Sequence, residues 1–212
     1  MKKKVGIIDM GICNIGSVQT LVERLRVECL VINDTRHLGD FTHLILPGIG
    51  SFGRGVEHLR KSGFFNGLLE LGESGDTNIL GICLGMQLLG NGSEEGGTEG
   101  LGLVPGFCKH LKKNQSKAIS RDKFKIPHMG WNKVKPVKDA LIFERQAEDA
   151  RYYFVHSYVF EPINQSHLLA TTNYGGEFAS AISNKKVIGV QFHPEKSHYF
   201  GRELIRNFVL ME

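Results

Sequence analysis

Four short apolar runs fall in the first half of the chain, at residues 5–9, 29–32, 44–46 and 78–82, with helical stretches between most of them. Residues 15–27 carry apolar side chains at helical spacing (Ile15, Val18, Leu21, Val22, Leu25), and helical stretches also span residues 55–61 and 64–73. Strands joined through helices run parallel, because only a long crossover returns the chain to the same end of a sheet. This alternation predicts an α/β fold with a central, mostly parallel sheet flanked by helices on both faces. The second half changes character. Residues 152–158, 168–171, 178–183 and 187–192 read as strands with short connections, which predicts an antiparallel extension, and a last helix is expected over residues 202–210. There is no internal repeat or linker, and 212 residues suit one domain with a full core, taken here as residues 1–212.

The fourth run leads into Gly81-Ile82-Cys83-Leu84-Gly85, with residues 84–89 helical behind it. This is a cysteine form of the G-x-S-x-G corner, which lifts a nucleophile out of a strand-to-helix turn. The glycines are expected to permit the turn and let a substrate reach the sulfur, and a helix N-terminus beneath the sulfur favours the thiolate. The last strand runs into His193-Pro194-Glu195, where Pro194 lacks the N–H needed to continue a ladder. In extended chain, residues i and i+2 share a face, so Glu195 is placed to orient His193. Nucleophile, base and orienter make a triad, and both halves lie at strand ends, where active sites of open α/β sheets collect.

A second glycine pattern, Gly48-Ile49-Gly50-Ser51-Phe52-Gly53, spells G-x-G-x-x-G. It follows the third strand rather than the first and Pro47 precedes it, so a dinucleotide role is rejected. A glycine-rich turn at a strand end offers backbone N–H groups, which acyl transfer needs for its oxyanion. The Leu84 N–H, just after the nucleophile, is the other expected donor.

Composition excludes more than it assigns. The four cysteines (Cys13, Cys29, Cys83, Cys108) form no C-x-x-C pair, and no H-E-x-x-H occurs, so neither metal nor disulfide framework is expected. The net charge of +4 is too mild to imply nucleic acid, and no apolar stretch approaches a membrane span. Met1-Lys2-Lys3-Lys4 runs into a strand without a secretory apolar region, so the expected location is cytoplasmic. A basic run (Lys109, Lys112, Lys113, Lys117, Arg121, Lys123, Lys125) reads as a solvated loop or as a rim for a phosphorylated ligand or acidic partner. His128 and His156 read as core or interface histidines, Trp131 as a half-buried anchor, and residues 91–102 as a solvated loop.

Taken in order, Pro47-Gly48-Ile49-Gly50, the elbow with Met86 and Gln87, Ile126-Pro127-His128-Met129-Gly130-Trp131-Asn132, Tyr153-Phe154-Val155-His156-Ser157-Tyr158 and Phe192-His193-Pro194-Glu195-Lys196-Ser197 resemble the class I (triad) glutamine amidotransferases. More narrowly they resemble the HisH family, the glutaminase subunits of imidazole glycerol phosphate synthase. The resemblance implies a flavodoxin-like fold and a cofactor-free reaction on L-glutamine. Cys83 would attack the side-chain amide, His193 would move the proton, and Glu195 would orient His193. The N–H groups of Gly50 and Leu84 would hold the oxyanion, while Gly48, Gln87, Tyr153 and Ser157 would bind glutamine. Family members pass ammonia to a (β/α)8-barrel synthase subunit, HisF, and Trp131 and Asn132 match positions at that contact.

The chain departs from the family at Asp9-Met10-Gly11, where Tyr often follows the Asp, and in a longer segment before Pro127. The continuation His198-Tyr199-Phe200-Gly201 resembles a paralogous branch that supplies ammonia for amidination of nucleotide-linked sugars in surface polysaccharide. Three further readings stay open: that branch, a cysteine hydrolase without ammonia transfer, and a catalytically silent regulatory subunit.

Overall fold

The computed structural model describes residues 3–114 and 124–212. Lys117, Arg121 and Lys123 of the basic run lie outside the described residues. The chain opens with β1 (Lys4–Ile8), α1 (Ile15–Glu23), β2 (Glu28–Ile32), β3 (His43–Gly48), α2 (Phe52–Lys61), α3 (Phe64–Ser74), β4 (Asn78–Cys83) and α4 (Leu84–Leu88). Then come β5 (Gly92–Ser93), β6 (Gly106–His110), α5 (Leu111–Asn114), β7 (His128–Lys133), β8 (Lys135–Pro136), β9 (Arg151–His156) and β10 (Tyr158–Pro162). The last elements are β11 (Leu168–Asn173), β12 (Glu177–Asn184), β13 (Val187–Val190) and α6 (His198–Leu210).

The main sheet runs β2-β1-β3-β4-β13-β12-β10-β6-β5, with β11 paired to β12 and β8 paired to β11. The pairs from β2 through β13 are parallel, and the pairs β13–β12, β12–β10 and β10–β6 are antiparallel. The expected parallel core with an antiparallel extension is therefore present. Alternate residues of the central strands feed two cores. Val5, Ile7, Ile45 and Leu80 pack with Val18, Leu21 and Val22 of α1 and Leu204, Ile205 and Phe208 of α6. Ile8, Leu44, Leu46 and Ile79 pack with Val56 and Leu59 of α2 and Phe64 and Leu68 of α3.

Several boundaries differ from the sequence reading. Pro47 does not end the third strand: Pro47 and Gly48 stay paired with Ile82 and Cys83. The β1 register stops at Ile45, so β3 is paired on one side only there, where a missing N–H costs no ladder bond. α1 ends at Glu23, and the left-handed Arg26 (φ 58°) breaks the helix that periodicity extends to residue 27. The run 152–158 is two strands. β9 pairs with β7 in a separate two-stranded sheet, and β10 joins the main sheet, so the chain changes sheets at Ser157.

Gly81 and Gly85 serve a different purpose from the one the motif suggests. The left-handed residue of the corner is Cys83 itself (φ 54°, ψ −107°). A Cβ on Gly85 would lie 1.8 Å from the Leu46 carbonyl oxygen, and one on Gly81 would lie 2.6 Å from the Gly85 carbonyl carbon and oxygen. The glycines let α4 lie directly on β3 and β4, and that contact holds the strained cysteine.

Candidate active site

β3, β4 and β13 end at the same edge of the sheet, in register through Gly48↔Cys83 and Val190↔Ile82. Their C-terminal continuations deliver Gly50, Cys83 and His193 to one cavity of about 280 Å³. Its wall also includes Leu84, Gln87, Glu95, His156, Ser157 and Tyr158. A larger cleft, of about 750 Å³, lies among residues 134–148 and contains none of these groups.

His193 and Glu195 meet, but by another route than extended chain. Pro194–Lys196 is a turn of 3-10 helix, with Pro194 in its first position, where a missing N–H is harmless. The turn brings Glu195 Oε1 to 2.7 Å from His193 Nδ1, and both side chains are almost fully buried. Nδ1 is thus engaged, while Nε2 makes no well-aligned hydrogen bond among the described residues. Burial alone would lower the His193 imidazolium, but attraction to Cys83 and Glu195 outweighs it and raises the group to about 10. The backbone is pinned as well: His193 N donates to Tyr153 O at 2.9 Å. Ser197 Oγ donates to His193 O at 2.6 Å and accepts from Tyr153 N at 3.0 Å.

On the opposite wall, Gly50 (φ +97°) has open space around its Cα, and Ile49 N donates to Ile12 O at 3.1 Å. A positive φ of this kind is cheap only for glycine. Leu84 is the first residue of α4.

The expected glutamine-binding residues divide. Gln87 and Ser157 line the cavity, whereas Gly48 and Tyr153 do not. Gly48 is a packing position, with a Cβ there 3.0 Å from Leu84 Cβ. The Tyr153 ring lies outside, 6.2 Å from Trp131, with Lys196 Nζ above it at 5.5 Å. Trp131 is 44% exposed and stacks on His198 at 5.2 Å. Ile49, Met129 and Tyr199 are also exposed apolar groups. Asn132 occupies the other face of β7 because strand side chains alternate, and its Nδ2 donates to Asn173 O at 2.9 Å.

Three groups beside the triad have no role in the sequence reading. Glu95 lies in the loop expected to be merely solvated, yet it lines the cavity, and its Oε2 accepts from Phe52 N at 2.9 Å. Ser197 ties His193 to Tyr153. Gln191 is fully buried, and its Nε2 donates to Cys83 Sγ at 3.7 Å. Only Gln191 left a sequence signal, as a polar residue within an apolar strand run.

His128 and His156 are buried and joined, Nδ1 to Nε2, at 2.9 Å. His156 Nδ1 donates to Tyr158 O at 2.9 Å, so His156 Nε2 accepts from His128 Nδ1, and His128 Nε2 faces Asn132 Nδ2 at 3.4 Å. Burial lowers His128 to about 4, and burial with the neighbouring His128 lowers His156 to about 3, from 6.5. Between these values and 6.5 the unfolded chain binds protons that the folded chain refuses. Stability is therefore expected to fall as pH drops below about 6.5. Thermal melts from neutral to acid pH check this, with a shallower dependence expected for His128→Gln, which removes one titration.

Among the described residues no group of three or more His, Cys, Asp or Glu is placed to hold a metal ion, and no helix is long and apolar enough to cross a membrane. Residues 7–211 match the family described as glutamine amidotransferase class-I. A protein of Bdellovibrio bacteriovorus named imidazole glycerol phosphate synthase subunit HisH is 42% identical over 205 residues, covering 96% of this chain and 98% of that one. A Methanococcus maripaludis protein named as a second HisH subunit is also 42% identical, covering 97% and 98%. Its counterpart in Pseudomonas aeruginosa is 39% identical, covering 96% and 97%. Among solved structures, PurLQS of Thermotoga maritima superposes with a TM-score of 0.73 at 19% identity, covering 99% of this chain and 98% of that one. A crystal structure of a glutamine amidotransferase superposes with a TM-score of 0.73 at 18% identity, covering 97% and 96%. At these identities the two structures speak to the fold alone.

Proposed function

The chain belongs to the class I glutamine amidotransferases, and from that premise we propose that it is the glutaminase subunit of an imidazole glycerol phosphate synthase, acting in histidine biosynthesis. Residues 1–212 work as one glutaminase domain, in the cytoplasm. The observation that carries this reading is the convergence of Cys83 with His193, whose Nδ1 is held by Glu195 while Nε2 has no other hydrogen-bond partner among the described residues.

In the proposed reaction the Cys83 thiolate attacks the side-chain amide carbon of L-glutamine, and the oxygen takes up the charge. The Gly50 and Leu84 N–H groups receive that oxyanion, the interaction that gains most on reaching the transition state. His193 Nε2 gives its proton to the departing nitrogen, which leaves as ammonia, and a glutamyl thioester remains. His193 then takes a proton from water, the hydroxide adds to the thioester, and glutamate departs as Cys83 is regenerated. Glu195 keeps the imidazole oriented and balances its charge. Gln87 and Ser157 shape the pocket. Glu95, the one carboxylate on its wall among the described residues, supplies the counter-charge for the substrate α-ammonium. Glu95→Gln is expected to raise KM for glutamine about tenfold or more, with a smaller change in kcat, because a charge-assisted contact to the bound substrate is lost. Steady-state glutaminase kinetics check this.

Ammonia passes to a HisF-like (β/α)8-barrel subunit, which adds its nitrogen to a phosphorylated co-substrate and releases imidazole glycerol phosphate and AICAR. The exposed apolar group of Ile49, Met129, Trp131 and Tyr199 beside the triad is the proposed docking face. Trp131→Ala is expected to weaken the complex by about 2 kcal/mol or more, the effect of losing an aromatic anchor. Titration calorimetry measures it, and unchanged affinity returns Trp131 to ordinary packing. Asn132 contributes from beneath, by holding β7 to residue Asn173.

Two measurements test the function itself. Glutamine hydrolysis by the chain alone and with its barrel subunit is expected to differ by about 10²–10³, the weight of one oxyanion donor, if the Gly50 turn becomes productive only in the complex. Deleting the gene is expected to make cells require histidine. Growth without histidine, in a strain with no second copy and with altered surface polysaccharide, would transfer the ammonia to the sugar-amidination branch and leave the glutaminase chemistry as it stands.

A further inference from the structure

Cys83 is 7% exposed, so water contributes little to solvating a charge there. A buried thiolate needs donors from the protein instead. Gln191 Nε2 points at it from 3.7 Å, a usual length for N–H to sulfur, while Gln191 Oε1 accepts from Gln87 Nε2 at 3.0 Å.

Amide orientation is decided by neighbours, and here they leave one arrangement. The Tyr158 carbonyl is an acceptor only, and Gln87 Nε2 lies 3.4 Å from it. Gln87 must therefore present its NH2 group on that side. The same NH2 reaches Gln191, which must answer with its oxygen, and the Gln191 NH2 is left facing the sulfur. A flipped Gln191 would set two oxygens, or two NH2 groups, against their like. Tyr158 O is fixed in turn by His156, which His128 holds from β7. Every donor from Asn132 to the sulfur thus meets an acceptor.

We propose that Gln191 is a catalytic residue: its side-chain N–H stabilises the Cys83 thiolate, and Gln87 acts behind it as a positioning residue. The inference rests on the reading of Cys83 as the nucleophile. When the thiol proton moves to His193 Nε2, the negative charge left on sulfur strengthens the Gln191 contact, because a hydrogen bond to a charged acceptor is worth more than one to a neutral acceptor. Gln191 therefore sets the fraction of Cys83 ready to attack. It does not touch glutamine, so substrate affinity is not its province.

The test compares full-length wild type, Gln191→Met and Gln191→Glu. Iodoacetamide alkylation of Cys83 is followed across the pH range by mass spectrometry of its peptide, and glutaminase kinetics are measured with the barrel subunit bound. Met keeps the length and lacks the donor. The expected result is an alkylation profile displaced to higher pH by about one unit, with kcat near neutrality about tenfold lower and KM within about twofold. Glu keeps the shape and adds a negative charge, so its profile is expected to move further in the same direction; it also serves if the Met variant fails to fold. Profiles that superimpose on wild type in a folded variant overturn the role of Gln191. Wild-type chain alkylated at Cys83 that still hydrolyses glutamine overturns the Cys83 reading itself, a separate and distinguishable failure.

Discussion

Cys83→Ala is expected to leave a folded chain whose glutaminase rate has fallen by about 10⁴-fold or more, the scale on which loss of a catalytic nucleophile acts. The cavity wall holds Glu95, Ser157 and Tyr158 besides Cys83 and His193, but among the described residues Cys83 is the one thiol on it, at the end of β4. The corner that presents it is made by other residues. α4 is locked to β3 and β4 at Gly81 and Gly85, and a non-glycine residue already occupies the left-handed position, so Ala meets the same backbone strain as Cys. Removing the sulfur is expected to cost about 1 kcal/mol of stability, the ordinary scale for a single substitution. Glutamate release with the barrel subunit present, beside a thermal melt, separates the two effects. A near wild-type rate in the folded variant would remove Cys83 from the mechanism.

Gly85→Ala should do the reverse, damaging the fold first and the activity in consequence. Its added methyl would sit 1.8 Å from the Leu46 carbonyl oxygen and 2.9 Å from the carbonyl carbon, both backbone atoms of a central strand. Leu46 is fully buried and paired with Gly81, so it has no direction in which to yield. Overpacking against backbone is expected to cost about 3 kcal/mol or more. The helix that carries Leu84 would lift from the sheet and take the proposed oxyanion donor with it. Chemical denaturation measures the loss. A variant of wild-type stability and lowered activity would show that Gly85 matters for substrate approach, as the motif alone suggests, and not for packing.

The two readings of Gly85 illustrate where local pattern stops. A glycine beside a nucleophile is compatible with a turn, with substrate access, or with close backbone contact, and the spelling is the same for each. The same holds for His193 and Glu195. Their spacing predicts contact, and contact is made, but through a 3-10 turn that Pro194 starts rather than along an extended strand. Tyr153 belongs to a motif block associated with glutamine, yet its ring stands beside Trp131, outside the cavity, because β9 pairs with β7 and turns that face outward.

What the sequence determined by itself is whatever depends on near neighbours along the chain. Apolar periodicity set the strands and helices of the parallel half, their alternation required parallel pairing, and the corner at Cys83 and the turn at His193 were legible as strand ends. Parallel strands then bring such ends to one edge of the sheet, so the meeting of Cys83 and His193 followed from order alone. Glu95, Gln191 and Ser197 were decided only by the tertiary structure. Each acts on a partner far away in sequence: Glu95 on Phe52, Gln191 on Cys83 and Gln87, Ser197 on Tyr153. A buried polar group needs a partner across the fold, and periodicity along one strand carries no information about which residue that partner is.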